Sequence, residues 1–190
     1  MEIYLIRHTS PKVEKGICYG QSDVPLADSF QNEAATLTKH LPETFDGIYS
    51  SPLSRCFKLA QLLVSKQEVL IDKRLLEMNF GAWELKKWND IELGELNSWM
   101  QDFVNVKVPG GENFIELYNR AGLFFDELIS KDYKTVAIVT HAGVIRSMVA
   151  KVLEIPLKNA FKIPVDYSSV TKLTISGENC FSNIAFLNKL

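Results

Sequence analysis

Five side chains in this 190-residue sequence are of types that carry nucleophilic, acid–base or anion chemistry, and each stands where such chemistry is commonly placed. Arg7 and His8 follow the apolar run Ile3, Tyr4, Leu5, Ile6, and His141 follows a second apolar run, TVAIVT, at residues 135–140. Histidine can act as nucleophile, proton carrier or hydrogen-bond donor near neutral pH, while the planar fork of arginine matches the oxygens of a phosphate. Arg55 falls in the first turn of a helix opened by Ser51-Pro52, where free backbone N–H groups already favour an anion. A cation gains nothing from the helix dipole at that position, so two readings stand: an anion held jointly by Arg55 and the helix, or an ordinary surface ion pair. Glu77 lies among Leu75, Leu76, Met78, Phe80 and Trp83, and apolar surroundings raise a carboxyl pKa and suit a general acid. Phosphoryl transfer through a phosphohistidine would use all five. His40, the remaining histidine, reads as a solvated helix-end residue without a role.

The elements that must position these groups alternate between strand and helix patterns. Strands are expected at residues 3–6, 45–50, 69–71, 135–140, 170–175 and 181–187 from their short apolar, β-branched runs. Helical spacing of apolar residues predicts helices over 29–41, from Pro52 through Val64, from Glu112 through Leu128, and from Ala142-Gly143 through Leu153. The backbone N–H groups that open the last of these, at Ala142, form a second anion site. Residues 86–108 read as an insert, with Trp88, Ile91, Leu96, Trp99 and Phe103 as the apolar set of a helix from 88 to 103 that packs or folds over the site as a lid. The loop from Ser10 to Asp28, broken by Pro11, Gly16, Gly20 and Pro25, is a candidate substrate wall, with Tyr19 and Gln21 beside His8. This alternation predicts an α/β fold: a three-layer α/β/α sandwich on a mainly parallel central sheet, with the last strand at an edge and antiparallel. Ligands bind such sheets beyond the carboxyl ends of the strands, where Arg7, His8 and His141 stand.

Composition narrows the classes. The length suits one domain over residues 1–190. A net charge of −2 gives no general attraction to nucleic acid or to an anionic membrane, so basic residues must act locally. The three cysteines, Cys18, Cys56 and Cys180, lack the close spacing of a zinc or redox pair, and with no signal-peptide pattern or membrane-spanning run they point to a reduced cytoplasm. Oligomeric state stays open, a homodimer included.

Five motifs then coincide. IRHTSP, SSPLSRC, LLEMNFGAWE, PGGENF and VTHAG occur in the order, and at about the spacing, seen in the histidine phosphatase superfamily, whose other branch is cofactor-dependent phosphoglycerate mutase. The chain resembles that superfamily over nearly its whole length. The resemblance implies a phosphoglycerate mutase-like fold and a metal-independent, cofactor-free phosphomonoesterase acting on a small phosphoester. His8 would be the nucleophile, Arg7, Arg55 and His141 (with Ala142) the phosphate-binding groups, and Glu77 the proton donor, with Glu84 or Glu14 as replacements. Within the superfamily, GICYGQSDVPL, EMNFGAWE and the compact length look most like the α-ribazole phosphatase branch of cobalamin assembly. Phosphatases of sugar phosphates or nucleotides, a mutase, and a non-catalytic phosphoester-binding module are the alternatives. Two positions depart from the family pattern, Thr9 and Leu85 each standing where glycine is usual, and Thr9 is expected to change the loop after His8.

Overall fold

The computed structural model describes residues 1–63, 67–177 and 182–190. The expectations at Val64, Cys180 and Phe181 lie outside the described residues. Six strands form one sheet among the described residues: β1 (Glu2–Arg7), β2 (Gly47–Ser50), β3 (Val69–Ile71), β4 (Thr135–Thr140), β5 (Val170–Thr174) and β6 (Asn183–Lys189). Their spatial order is β3-β2-β4-β1-β5-β6. The first four are mutually parallel, β5 runs antiparallel to β1, and β6 is antiparallel to β5 at the edge.

Helices cover both faces, as a mainly parallel sheet requires. Side chains alternate across β1. Tyr4 and Ile6 join Ile48, Ala137 and Val139 beneath α1 (Phe30–Thr38) and α2 (Ser54–Leu63). Ile3 and Leu5 join Val136 and Ile138 beneath α4 (Phe114–Ile129) and α5 (Ala142–Val152). No helix among the described residues is long and apolar enough to cross a membrane.

Strand order decides the site. β1 and β4 are neighbours, and their register sets Arg7 opposite Thr140, so the residues that follow, His8 and His141, leave the sheet side by side. The His8 N–H donates to the Thr140 carbonyl at 3.1 Å and extends that ladder by one step.

Several boundaries differ from expectation, two of them because a side chain expected to serve a helix is engaged elsewhere. α2 begins at Ser54 rather than Pro52: the Ser51 hydroxyl meets His141, and Asp23 caps the helix by accepting from the Ser54 N–H and hydroxyl. α4 begins after Asn113, whose capping box with Glu116 satisfies the first turn, because Glu112 is paired with Arg120. The expected helix over 88–103 is broken. A 3-10 turn at Trp88–Asp90 is followed by Ile91 in extended backbone and then by α3 (Leu93–Gln101), whose first N–H groups are capped by Glu92. Ile91 and Trp99 are buried there, while Trp88, Leu96 and Phe103 are half-buried against the core. α1 ends at Thr38, short of residue 41, β2 starts at Gly47, and β6 runs on to Lys189.

Candidate active site

His8 is 2% exposed and its Nδ1 lies 2.7 Å from the Thr9 carbonyl. A carbonyl only accepts, so the neutral ring carries its proton on Nδ1 and presents the Nε2 lone pair. Burial, reinforced by Arg55 and then Arg7 and opposed by the Thr9 carbonyl, holds the His8 pKa well below 6.5. His141 is fully buried with its ring centroid 5.1 Å from that of His8. Its pKa is also pushed well down by burial, then by His8, Arg55, Arg7 and Arg120. The Ser51 hydroxyl lies 2.8 Å from His141 Nε2 and the Cys56 thiol 3.4 Å away. Burial pushes the Cys56 thiol far up, so it stays protonated and donates to the Thr140 carbonyl.

Arg55, expected at a helix start, has no exposed surface. Its Nη1 donates to the Ser22 carbonyl at 2.8 Å and its Nη2 to the Gly20 carbonyl at 2.6 Å. No acid pairs with it among the described residues, which removes the ion-pair reading. Arg7 donates through Nη1 to the Val165 carbonyl at 2.6 Å, and its guanidinium lies 3.7 Å over the Tyr167 ring. The Nε of each arginine is buried with no hydrogen-bond partner among the described residues. A buried charged donor left unpaired is costly, and both donors suit a tetrahedral oxyanion.

Glu77 is half-buried and reaches the start of α5. Its carboxylate accepts from the Gly143 N–H at 3.1 and 3.2 Å and from the Met78 N–H at 2.9 Å. The group that occupies that helix start, beside Ala142, is therefore the Glu77 side chain. A Cβ at Gly143 would meet Glu77 Oε1 and push the carboxyl group off the helix start. Gly81, at φ +46°, serves the same segment: a Cβ would fall 2.3 Å from the Pro109 carbonyl, so the PGG turn and the acid loop meet backbone to backbone.

Gln21, expected at the substrate, instead donates from Nε2 to the Glu77 carbonyl at 3.0 Å and holds the acid's backbone. Tyr19 stands nearer the chemistry. Its hydroxyl is hydrogen-bonded to that of Tyr167, and its ring lies 5.4 Å from the Arg55 guanidinium. Glu84 is not a free replacement acid: it accepts from the Gly20, Gln21, Ser22 and Phe80 N–H groups and from the Ser22 hydroxyl. Glu14 pairs with Lys87 at the surface.

Ser51 as the partner of His141, Arg120 and Tyr167 were missed by the sequence reading. Arg120 donates to the Arg74, Leu76 and Glu77 carbonyls and pairs with Glu112, clamping the segment that carries the acid. A lone arginine on an amphipathic helix gives no sign of this. Thr9 keeps φ out of the left-handed region, whereas Leu85 sits at φ +64°. The departure that strains the backbone is thus Leu85.

The chain is similar to known proteins over comparable lengths. The chain is 32% identical over 196 residues to a putative phosphoserine phosphatase 2 of Hydrogenobacter thermophilus, covering 99% of this chain and 95% of that one. It is 28% identical to the adenosylcobalamin/alpha-ribazole phosphatase of Salmonella typhimurium, covering 87% and 86%. The crystal structure of the alpha-ribazole phosphatase from Shigella flexneri superposes with a TM-score of 0.91 at 26% identity, over 100% of this chain and 96% of that one. Residues 3–185 match the pattern of the histidine phosphatase superfamily (branch 1), and the chain, a phosphatase, belongs to that superfamily.

Proposed function

We propose that this phosphatase works through a phosphohistidine formed on His8 and that its substrate is α-ribazole 5′-phosphate. The observation that carries the mechanism is the pair of buried guanidinium nitrogens of Arg7 and Arg55, unpartnered among the described residues, beside a neutral His8 that presents its Nε2 lone pair. As the His8 Nε2–phosphorus bond forms, the bond to the leaving oxygen breaks, and Glu77 supplies the proton that oxygen needs. Arg7, Arg55 and His141 bear the charge spread over the three remaining oxygens. Glu77 then takes a proton from water as that water attacks phosphorus, the nitrogen–phosphorus bond breaks, and inorganic phosphate leaves. No step needs a metal ion, and the two arginines would repel one.

The choice of alcohol is supported by the resemblance of GICYGQSDVPL and EMNFGAWE to the α-ribazole branch and by the Salmonella and Shigella relatives. Phosphoserine is the second reading, favoured by the Hydrogenobacter relative that matches almost end to end. Hydrolysis of α-ribazole 5′-phosphate, phosphoserine, 3-phosphoglycerate and p-nitrophenyl phosphate in the presence of EDTA tests both. Turnover of the ribazole ester far above the rest, lost in His8→Ala, is the expected result. Preference for phosphoserine would replace the substrate and keep the mechanism, and activity that EDTA abolishes would overturn the mechanism.

A further inference from the structure

Arg55 carries a buried charge with no acid directly against it, yet a carboxylate stands one peptide group away. The Gly20 carbonyl that receives Arg55 Nη2 at 2.6 Å belongs to the same peptide unit as the Gln21 N–H, and that N–H donates to Glu84 Oε1 at 2.9 Å. In a planar trans peptide the C=O and N–H point opposite ways, so cation and anion face each other across one polarised amide. Glu84 Oε2 gathers the neighbouring groups, accepting from the Gly20 and Ser22 N–H groups, each at 3.0 Å, and from the Ser22 hydroxyl at 2.6 Å. The Ser22 carbonyl is the second acceptor of Arg55.

The same carboxylate belongs to the acid loop. It follows the turn Gly81–Trp83, and its Oε1 also accepts from the Phe80 N–H at 3.1 Å. Gly20 lies so close to that loop that a Cβ would fall 1.9 Å from the Met78 carbonyl. Residues 20–22 therefore rest on 78–84, and both residues whose carbonyls hold Arg55 are bound by Glu84. Burial by itself would raise the pKa of the half-buried Glu84, but the bonds from Gly20, Ser22 and Gln21 bring it below the ordinary carboxyl value, so the group is ionised at neutral pH. Arg7 is served differently. It is half-buried, and the N–H of the peptide whose carbonyl it meets, that of Asp166, donates to the neutral amide of Asn188 at 2.6 Å. The carboxylate is thus matched to the arginine that has lost its contact with solvent.

We propose that Glu84 is a positioning residue for phosphoryl transfer: through the backbone of residues 20–22 it balances the buried charge of Arg55 and fixes the direction in which the Arg55 Nε, unpartnered among the described residues, meets the phosphoryl oxygens. This rests on the phosphohistidine reading above, in which Arg55 bears part of the transferred charge, and adds the group that keeps Arg55 in place. Five donors converge on the two Glu84 oxygens, and an amide in their place would set its own NH2 against N–H groups. Loss of the carboxylate frees the two carbonyls to turn, and the cost falls on the transition state, where charge on the oxygens is redistributed.

The test is a double-mutant cycle on p-nitrophenyl phosphate, whose leaving group needs little protonation, so that an effect routed through Glu77 is muted. Glu84→Gln, Arg55→Ala and the pair are compared by kcat/KM and, where turnover is too slow to follow, by calorimetric binding of orthovanadate. With Arg55 present, Glu84→Gln is expected to lower kcat/KM about tenfold, mainly through kcat, and to weaken vanadate by about the same factor; in the Arg55→Ala background it should add less than about twofold. Glu84→Asp, which keeps the charge on a shorter arm, should fall between wild type and Glu84→Gln. Losses that multiply across the cycle, or Glu84→Gln at wild-type activity, would overturn the positioning role and leave the phosphohistidine reading standing. If Glu84→Gln fails to fold, Ser22→Ala, which removes only the hydroxyl bond, takes its place in the cycle, with a loss of about threefold that again vanishes in the Arg55→Ala background. Arg55→Ala at wild-type activity would overturn the part Arg55 plays in the phosphohistidine reading, and the positioning role with it.

Discussion

The phosphate site and the aromatic cluster of residues 80–103 are built on opposite principles. The phosphate end draws Arg7, His8, Arg55 and His141 from separate elements and buries the last three to 2% exposure or less, and the carbonyls of Ser22, Gly20 and Val165 share the charge of its two arginines. The aromatic cluster comes mostly from one stretch, residues 80–103, uses no charge, and leaves its rim exposed. Buried polar groups act together, and removing one leaves its partners unpaired; apolar walls contribute by area and lose their effect by degrees. Substitutions at the phosphate end should be close to all-or-none, and those in the aromatic cluster graded.

His8→Ala should show the sharpest form of this contrast, lowering kcat on p-nitrophenyl phosphate by about 10⁴-fold or more while the thermal transition stays cooperative. A loss under tenfold would mean that another group attacks phosphorus. Glu77→Gln is expected next, with a loss of about 10²- to 10³-fold on an aliphatic phosphate and far less on p-nitrophenyl phosphate, whose leaving group needs little protonation. Equal losses on both would remove Glu77 from the proton-transfer role.

Arg120→Met probes the clamp on the acid's segment, since it releases the Arg74, Leu76 and Glu77 carbonyls and leaves Glu112 without its ion-pair partner. It should cost about 3 kcal/mol in denaturant unfolding and harm aliphatic esters more than p-nitrophenyl phosphate. Unfolding unchanged to within about 0.5 kcal/mol, the usual scatter of surface substitutions, would show that the clamp is not a stabilising unit.

Acidification tests the buried histidines. Both have folded-state pKa values below 6.5, so below pH 6.5 the unfolded chain binds protons that the folded chain refuses. Their contribution is complete above that value and is lost as pH falls toward the folded values. The melting temperature should therefore drop between pH 7.5 and 5.5, and His8→Asn should shallow that drop; matching slopes would mean that His8 already titrates normally. The smallest effect belongs to Leu85, exposed at φ +64°. Leu85→Gly should stabilise the chain by about 0.5–1 kcal/mol, the left-handed strain relieved exceeding the flexibility gained by the unfolded state. A destabilised variant would show that the Leu85 side chain contributes more than its backbone costs.

Much of this was legible before any coordinates. Residues 3–6 and 135–140 read as strands because their apolar, β-branched runs are covered on both faces, and the helices of the two outer layers declared themselves by spacing. Element ends were less legible, because a cap is a competition among side chains: Ser51 went to His141 and Glu112 to Arg120, and no local pattern records who wins. Gln21 lies beside the acid's segment, yet its amide holds the Glu77 backbone rather than facing a ligand, a distinction that depends on which way a loop side chain turns.

Local chemistry thus determined the residue types, the strand ends that carry Arg7, His8 and His141, the layered α/β class and the family pattern, since each is written in contiguous residues. Tertiary structure alone decided that β1 lies beside β4 and so sets the two histidines 5.1 Å apart, that Arg55 is held by carbonyls rather than an acid, and that Arg120 clamps the acid's segment. Those outcomes depend on strand order and on side-chain partners tens of residues away, and burial energies that favour them are summed over the whole core rather than over any one stretch of chain.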